Sequence, residues 1–368
     1  MPKKKVTKEI ASQLKKKTKK EVNPLSSKRI LSTGSTLLNL ACTDKFKGGF
    51  TKGKYFFIVG DSSSGKTFLT LTCLAEASIN DNFKNYRFIY DNGEDGALMD
   101  IEKFFGKGVA NRLEPPAGTK DNPEYSRTVE DFYYNVDDAL QIAKEEDQPF
   151  IYVLDSENSL TSDAELEKFD EEKEAHRKGK DITGSYGDGK AKKHSSHMRK
   201  IITPLSKTGS ILIVLSQTRD NLGFGHEKKT RSGGRALKFY ACLEMWSSVS
   251  KKITKTVKGK KRQIGVNTTI KIKKNRLTGK EREITVPIYY SVGFDDVGSC
   301  VDYLIEEKHW PLKKKTVIAD EIKFEGSRDA VINHIEENDL EDVVRSTVGE
   351  VWKEIEEACS VKRKKRYE

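Results

Sequence analysis

Residues 60–67 read Gly60-Asp61-Ser62-Ser63-Ser64-Gly65-Lys66-Thr67, which fits G-x-x-x-x-G-K-[ST] at every fixed position. The pattern works only where a strand runs into a helix. The glycines let backbone N–H groups curl around phosphate oxygens, Lys66 can reach the β- and γ-phosphates, and the Thr67 hydroxyl can sit on Mg²⁺. The flanks supply that setting. Residues 55–59 (Tyr-Phe-Phe-Ile-Val) form an apolar run of strand type, and 68–75 read as the start of a helix. Phosphates would lie at a helix N-terminus, where free N–H groups and the dipole favour anions.

Further strands are expected at 88–90, 150–154, 211–215 and 243–246, with helices near 69–79, 129–146 and 194–207. The middle runs are continuously apolar, as strands buried on both faces must be. The alternation predicts an α/β fold with a mostly parallel twisted sheet flanked by helices. Alternating runs at 268–273 and 283–291 predict an antiparallel extension. Residues 167–193 are dense in Glu and Lys, with recurring glycine, and are expected to form a long exposed loop.

With 368 residues, one large domain plus a smaller one is expected. The predicted organisation is a basic N-terminal arm (1–29), a core (30–293), a small C-terminal α/β domain (294–359) and a basic tail (360–368). Helices are expected near 327–337 and 340–358. The arm carries Lys3-Lys4-Lys5 and Lys15-Lys16-Lys17, with room for one short amphipathic helix on Val6, Ile10 and Leu14. It can touch nucleic acid, pack on a neighbouring subunit or stay solvated. The net charge of +11 suits a polyanionic partner, though it also serves solubility. Five scattered cysteines make no C-x-x-C pair, so neither zinc nor a disulfide framework is expected. No apolar stretch is long enough to span a bilayer, and no secretory segment is expected.

Nucleotide hydrolysis needs a second carboxylate on the metal, a group that orients water, and cations for the developing charge. Asp155, closing the 150–154 strand, is the candidate metal ligand with Thr67. The 88–90 strand runs into Asp91-Asn92-Gly93-Glu94-Asp95-Gly96. Glu94 has the longest reach there and is the favoured base, with Asp91 and Asp95 as alternatives. A third strand ends in Ser216-Gln217, and the Gln217 amide can donate to a γ-phosphate and lose that partner after hydrolysis.

Several ordered motifs together resemble the RecA family of DNA strand-exchange recombinases. Ser232-Gly233-Gly234-Arg235-Ala236-Leu237-Lys238-Phe239-Tyr240-Ala241 is similar to the end of that family's second DNA-binding loop. Leu31-Ser32-Thr33-Gly34-Ser35 resembles its I-S-T-G-S lead-in, Asp155-Ser156 its D-S after the Walker B strand, and Ala164-Glu165-Leu166-Glu167 its A-E-I-E. The likeness spans about residues 30–293. It implies a RecA-like P-loop ATPase core that binds ATP and Mg²⁺ through residues 60–67 and Asp155. It also implies Glu94 as catalytic glutamate, although one extra residue separates it from the strand here, and Gln217 as the link from the γ-phosphate to the second loop. Lys274-Asn275-Arg276 resembles the family's K-N-K, whose two cations reach the neighbour's γ-phosphate. A longer, more charged first loop and a basic C-terminus depart from bacterial RecA, and resemble a divergent, phage-type recombinase of the UvsX kind.

DNA contact is expected from the second loop (about 218–234) through Arg219, Lys228, Lys229, Arg231, Gly233, Gly234 and Arg235. The first loop (about 168–193) offers Lys190, Lys192 and Lys193. Phosphate contacts carry no sequence information, so binding to single strands is expected to tolerate any sequence and to weaken steeply with salt. The reading is a DNA-dependent ATPase that forms a homo-oligomeric helical filament on single-stranded DNA, then pairs it with duplex DNA. Its expected place is the cytoplasm of a bacterium or of a phage-infected host, without membrane attachment. Two alternatives stand: a ring helicase of the DnaB type, and a non-catalytic ATP-binding protein that coats single strands.

Overall fold

The computed structural model describes residues 23–96, 99–178, 189–220, 229–231 and 234–363. Most of the expected basic arm, Lys228, Gly233 and the last residues of the tail lie outside them. Seven strands carry the architecture: β1 (Tyr55–Gly60), β2 (Arg87–Asp91), β3 (Phe150–Leu154), β4 (Ile211–Asp220), β5 (Leu243–Val257), β6 (Lys260–Asn275) and β7 (Arg282–Tyr289). They lie in the order β7-β6-β5-β1-β4-β3-β2. The run from β5 to β2 is parallel, and β6 and β7 extend it antiparallel, as the sequence predicts.

The apolar strands are continuous because successive side chains feed two cores. From β1, Phe56 and Ile58 enter one cluster, while Tyr55, Phe57 and Val59 enter the other. Ile151 and Val153 of β3 join the first, and Phe150, Tyr152 and Leu154 the second. Each fully buried large apolar side chain contributes about 1.5–3 kcal/mol. This sheet is the rigid platform from which the loops at its C-terminal edge project.

Helix α1 (Lys66–Ser78) follows β1, and α2 (Val129–Glu145) precedes β3 behind a capping box of Thr128 and Asp131. The expected loop at 168–193 is mostly helix. Helix α3 (Asp163–Arg177) covers its first part and α4 (Gly189–Thr208) its last, with 179–188 outside the described residues. Ser162 and Glu165 form a capping box at the start of α3. Lys168–Glu172 and Glu174–Lys178 pair at i,i+4 along it. None of its residues is buried, so it lacks the apolar stripe that marks a helix in sequence.

The second expected loop also has structure. Residues 229–231 pair antiparallel with the end of β4, and α5 (Gly234–Tyr240) begins inside the motif read as loop. The short strand expected at 243–246 is the base of a hairpin, β5–β6, that turns at Lys258-Gly259. Its outer half is exposed, with Lys251, Lys252, Lys255, Lys258, Lys260, Lys261 and Arg262 and no carboxylate between 250 and 262.

Beyond residue 294, α6 (Asp296–Glu306), α7 (Arg328–Glu337), α8 (Glu341–Ala358) and a three-stranded sheet enclose Trp310, Val317, Val331 and Val348. Leu37 and Leu40 of the helix Thr36–Thr43 enter the same cluster. No helix among the described residues is long and apolar enough to cross a membrane.

Candidate nucleotide site and nucleic-acid interface

Residues 60–67 form the turn between β1 and α1, with Gly65 at φ 86° capping the helix. The Lys66 side chain is largely buried and donates to the carbonyls of Gly60 (3.0 Å) and Asp61 (2.8 Å). Burial lowers its pKa, and the charges of Asp155, Glu94 and Asp61 oppose that shift. Ser64 Oγ bonds to the Asp61 carbonyl at 2.7 Å and to Ser247 Oγ of β5 at 2.8 Å.

Asp155 meets Thr67, as the metal-ligand reading requires. Thr67 Oγ1 donates to Asp155 Oδ2 at 2.7 Å, and Tyr90 Oη donates to the same oxygen at 2.6 Å. Burial raises the Asp155 pKa, against the pull of these two hydrogen bonds and of Lys66. A carboxylate and a hydroxyl are hard oxygen donors, which fits Mg²⁺. The Asp155–Ser156 peptide is cis.

Among the three acidic candidates at and after the end of β2, the geometry separates Glu94 from Asp91. Asp91 is buried and fully engaged: it accepts from Ser126 N (2.9 Å), Ser126 Oγ (2.6 Å) and Tyr152 Oη (2.6 Å). It is a structural knot between β2, β3 and the segment before α2. Glu94 lies at the sheet edge beside the phosphate loop. Its Oε1 accepts from Gln217 Nε2 at 2.9 Å and from Ser156 Oγ. The Asp155 carbonyl receives the Glu94 N–H at 3.1 Å. Asp95 takes a positive φ of 49° in the turn.

Gln217 stands level with Gly60 in the β1–β4 register. Asn158 fixes its backbone, its Oδ1 accepting from Gln217 N at 2.6 Å and Ser216 Oγ at 3.0 Å. Thr218 Oγ1 donates to Asp61 of the phosphate loop. Tyr90, Asn158 and the Thr218–Asp61 link escape sequence reasoning, because each acts across a long separation in the chain that only the sheet closes.

Lys274 and Arg276 do not join this group. They sit at the far end of the sheet, on the last carbonyls of α5. Lys274 Nζ donates to Lys238 O (2.6 Å) and Phe239 O (2.8 Å), and Arg276 Nη2 to Phe239 O (2.7 Å). Burial, with Arg276 nearby, lowers the Lys274 pKa to about 8.

The expected DNA-contact residues divide into two sets. Arg219 is exposed at the end of β4, and Arg235 is exposed at the start of α5, next to Gly234. Lys229 and Arg231 belong to the short strand paired with β4. Lys192 is exposed in the first turn of α4. With Arg199, Arg235 and Phe239 it lines a cleft of about 700 Å³ between α4 and α5, which has no carboxylate in its walls among the described residues. By contrast, Lys190 and Lys193 serve the base of the first loop. Lys190 Nζ donates to Leu160 O at 2.5 Å, and Lys193 Nζ pairs with buried Glu130 at 2.8 Å.

A family description, RecA N-terminal domain, matches residues 150–295. Protein RecA of Nitratidesulfovibrio vulgaris is 30% identical over 280 residues, 74% of this chain and 67% of that protein. Protein RecA of Cytophaga hutchinsonii is 29% identical over 286 residues (75% and 68%), and that of Malacoplasma penetrans 26% over 314 residues (84% of each).

Proposed function

This chain belongs to the RecA family, and from that premise we infer that it is a DNA-dependent ATPase that forms filaments on DNA in homologous recombination and repair. The relatives found are RecA proteins, which favours this reading over a ring helicase or a non-catalytic coating protein. The observation that carries it at the residue level is the bridge on Glu94. One carboxylate oxygen joins Ser156, beside the candidate metal ligand, to Gln217, at the root of the second loop.

In the reading we favour, the backbone of residues 60–65 and the Lys66 amine hold the triphosphate of ATP, and Thr67 and Asp155 hold Mg²⁺. The metal would neutralise phosphate charge when bound. Glu94 accepts the proton of the attacking water, whose oxygen bonds to the γ-phosphorus as the bond to the ADP oxygen breaks. Lys274 and Arg276 of the next copy stabilise the charge on the transferred group. Gln217 leaves Glu94 for the γ-phosphate when ATP binds, which re-sets Thr218, Arg219 and the second loop. Arg219, Lys192, Arg235 and the cations of the second loop then track the backbone of a single strand, with duplex DNA as the second substrate. The charged first loop and basic termini accord with a phage-type member of the family, working in a bacterial or phage-infected cytoplasm.

The test is ATP hydrolysis with and without single-stranded DNA, for the unaltered protein and Lys66→Ala. Stimulation by DNA in the first and no turnover in the second is the expected result. Substantial residual turnover in Lys66→Ala overturns the site. Turnover indifferent to DNA overturns the function.

A further inference from the structure

Directly after Asp155 and Ser156 the chain turns inward, and Glu157 is fully buried. A buried carboxylate is costly unless polar partners surround it. Its Oε1 lies 3.4 Å from His194 Nε2 and 3.9 Å from Lys190 Nζ. His194 is fully buried as well, and its Nδ1 pairs with Tyr133 Oη at 2.9 Å. The first turns of α4, where the first loop ends, thus pack against the segment that carries the candidate metal ligand, with His194 Nε2 and Lys190 Nζ within 3.4–3.9 Å of the Glu157 carboxylate and Lys190 Nζ donating to Leu160 O.

Three consecutive residues face three different groups. Asp155 faces the Thr67 hydroxyl, Ser156 donates to Glu94, and Glu157 faces His194 at the root of the first loop. Gln217, at the root of the second loop, bonds to the same Glu94 oxygen as Ser156. Both loops therefore converge on Glu94 Oε1 by different routes.

We propose that His194 is a positioning residue for DNA-stimulated hydrolysis: its contact with Glu157 carries engagement of the first loop to Ser156, and so to the Glu94 carboxylate. The inference rests on the ATPase reading above. Close-packed interiors transmit displacement instead of absorbing it. A shift of the first turn of α4 on DNA therefore moves Glu157, and the adjoining Ser156 hydroxyl moves with it. Glu94 gains or loses a hydrogen bond that sets its aim at the attacking water.

The test is steady-state ATP hydrolysis by the full chain, with and without single-stranded DNA, for His194→Leu, His194→Gln and Glu157→Gln. His194→Leu removes both polar contacts from the ring position. The expected result is an about tenfold loss of DNA-stimulated kcat, with DNA-free kcat and the KM for ATP within about twofold of the unaltered protein. His194→Gln keeps an amide N–H that can reach Glu157, and is expected to recover most of the stimulation. Glu157→Gln is isosteric and gives the same readout should His194→Leu not fold; it too is expected to lose stimulation. Full stimulation in folded His194→Leu or in Glu157→Gln overturns the inference, as does an equal loss of DNA-free and DNA-stimulated kcat. No stimulation in the unaltered protein overturns the ATPase reading as well, which tells the two failures apart.

Discussion

Lys274 is a cation in a poor place for one. Burial and the charge of Arg276 lower its pKa to about 8, while Glu244 pulls the other way. Contact with a neighbour's γ-phosphate would raise that value, because an anion favours the charged form. The sign follows directly. In the window above about 8 the free protomer carries Lys274 neutral, so assembly with ATP must take up a proton. Assembly is then strongest below pH 8 and weakens as pH rises through 8 to 9. Arginine stays charged throughout that range. The expected outcome is that ATP-dependent assembly, followed by light scattering between pH 7 and 9, falls with pH in the unaltered protein and stays nearly flat in Lys274→Arg. Equal slopes for the two proteins would remove Lys274 from the interface chemistry.

Between the two loops, α4 and α5 pack closely where Gly234 meets Ala191. Gly234 has φ 70°, and a Cβ placed on it would lie 2.7 Å from Ala191 Cβ. Gly234→Ala therefore strains the backbone by about 1–3 kcal/mol and pushes the helix starts apart. Single-strand affinity, measured by fluorescence anisotropy, is expected to fall about tenfold or more, with ATP affinity unchanged, since residues 60–67 stand on a different turn. An equal loss of both would mean that the packing of these helices serves the whole core. The same elements explain what could be read from the sequence. The phosphate loop was legible because its chemistry lies in eight consecutive residues between an apolar strand and a helix. Asp155, Glu94 and Gln217 could be singled out as candidates because each lies shortly after an apolar run at one edge of the sheet. Helix α3 was not, because its large apolar residues Leu166 and Phe169 stay exposed among charges and its capping box and i,i+4 pairs do the work of a buried apolar stripe. The outer hairpin was not, because its strands alternate lysine and threonine with few apolar residues. Asn158 and Tyr90 gave no signal at all, since their partners lie 59 and 65 residues away.

The sheet register places Lys274 and Arg276 away from the phosphate loop of their own chain. Phe56 pairs with Leu243 and Gly60 with Ser247, while Leu243 and Glu244 pair with Asn275 and Lys274. Lys274 and Arg276 are therefore level with the start of β1, and the phosphate loop springs from its end. At about 3.3 Å per residue, Phe56 and Gly60 differ in level by about 13 Å. One edge of the sheet presents the candidate nucleotide-binding groups and the opposite edge presents Lys274 and Arg276, so one copy holds the two sets apart. Stacking copies edge to edge does so, through a head-to-tail contact, and such contacts extend into open helical filaments when the rotation does not close. This arrangement predicts complementation. Lys66→Ala lacks a working phosphate loop and keeps the cations, while Arg276→Ala keeps the loop and lacks one cation. Each alone is expected to be inactive, and Arg276→Ala is expected to bind ATP almost as well as the unaltered protein. Mixed in equal amounts on single-stranded DNA, about a quarter of random junctions join an intact loop to intact cations. ATP hydrolysis is then expected to return to a sizeable fraction of the unaltered rate, rising and falling with the mixing ratio. A mixture as inactive as its two components would place Lys274 and Arg276 on their own chain's nucleotide or on none, and the head-to-tail assembly would lose its catalytic basis.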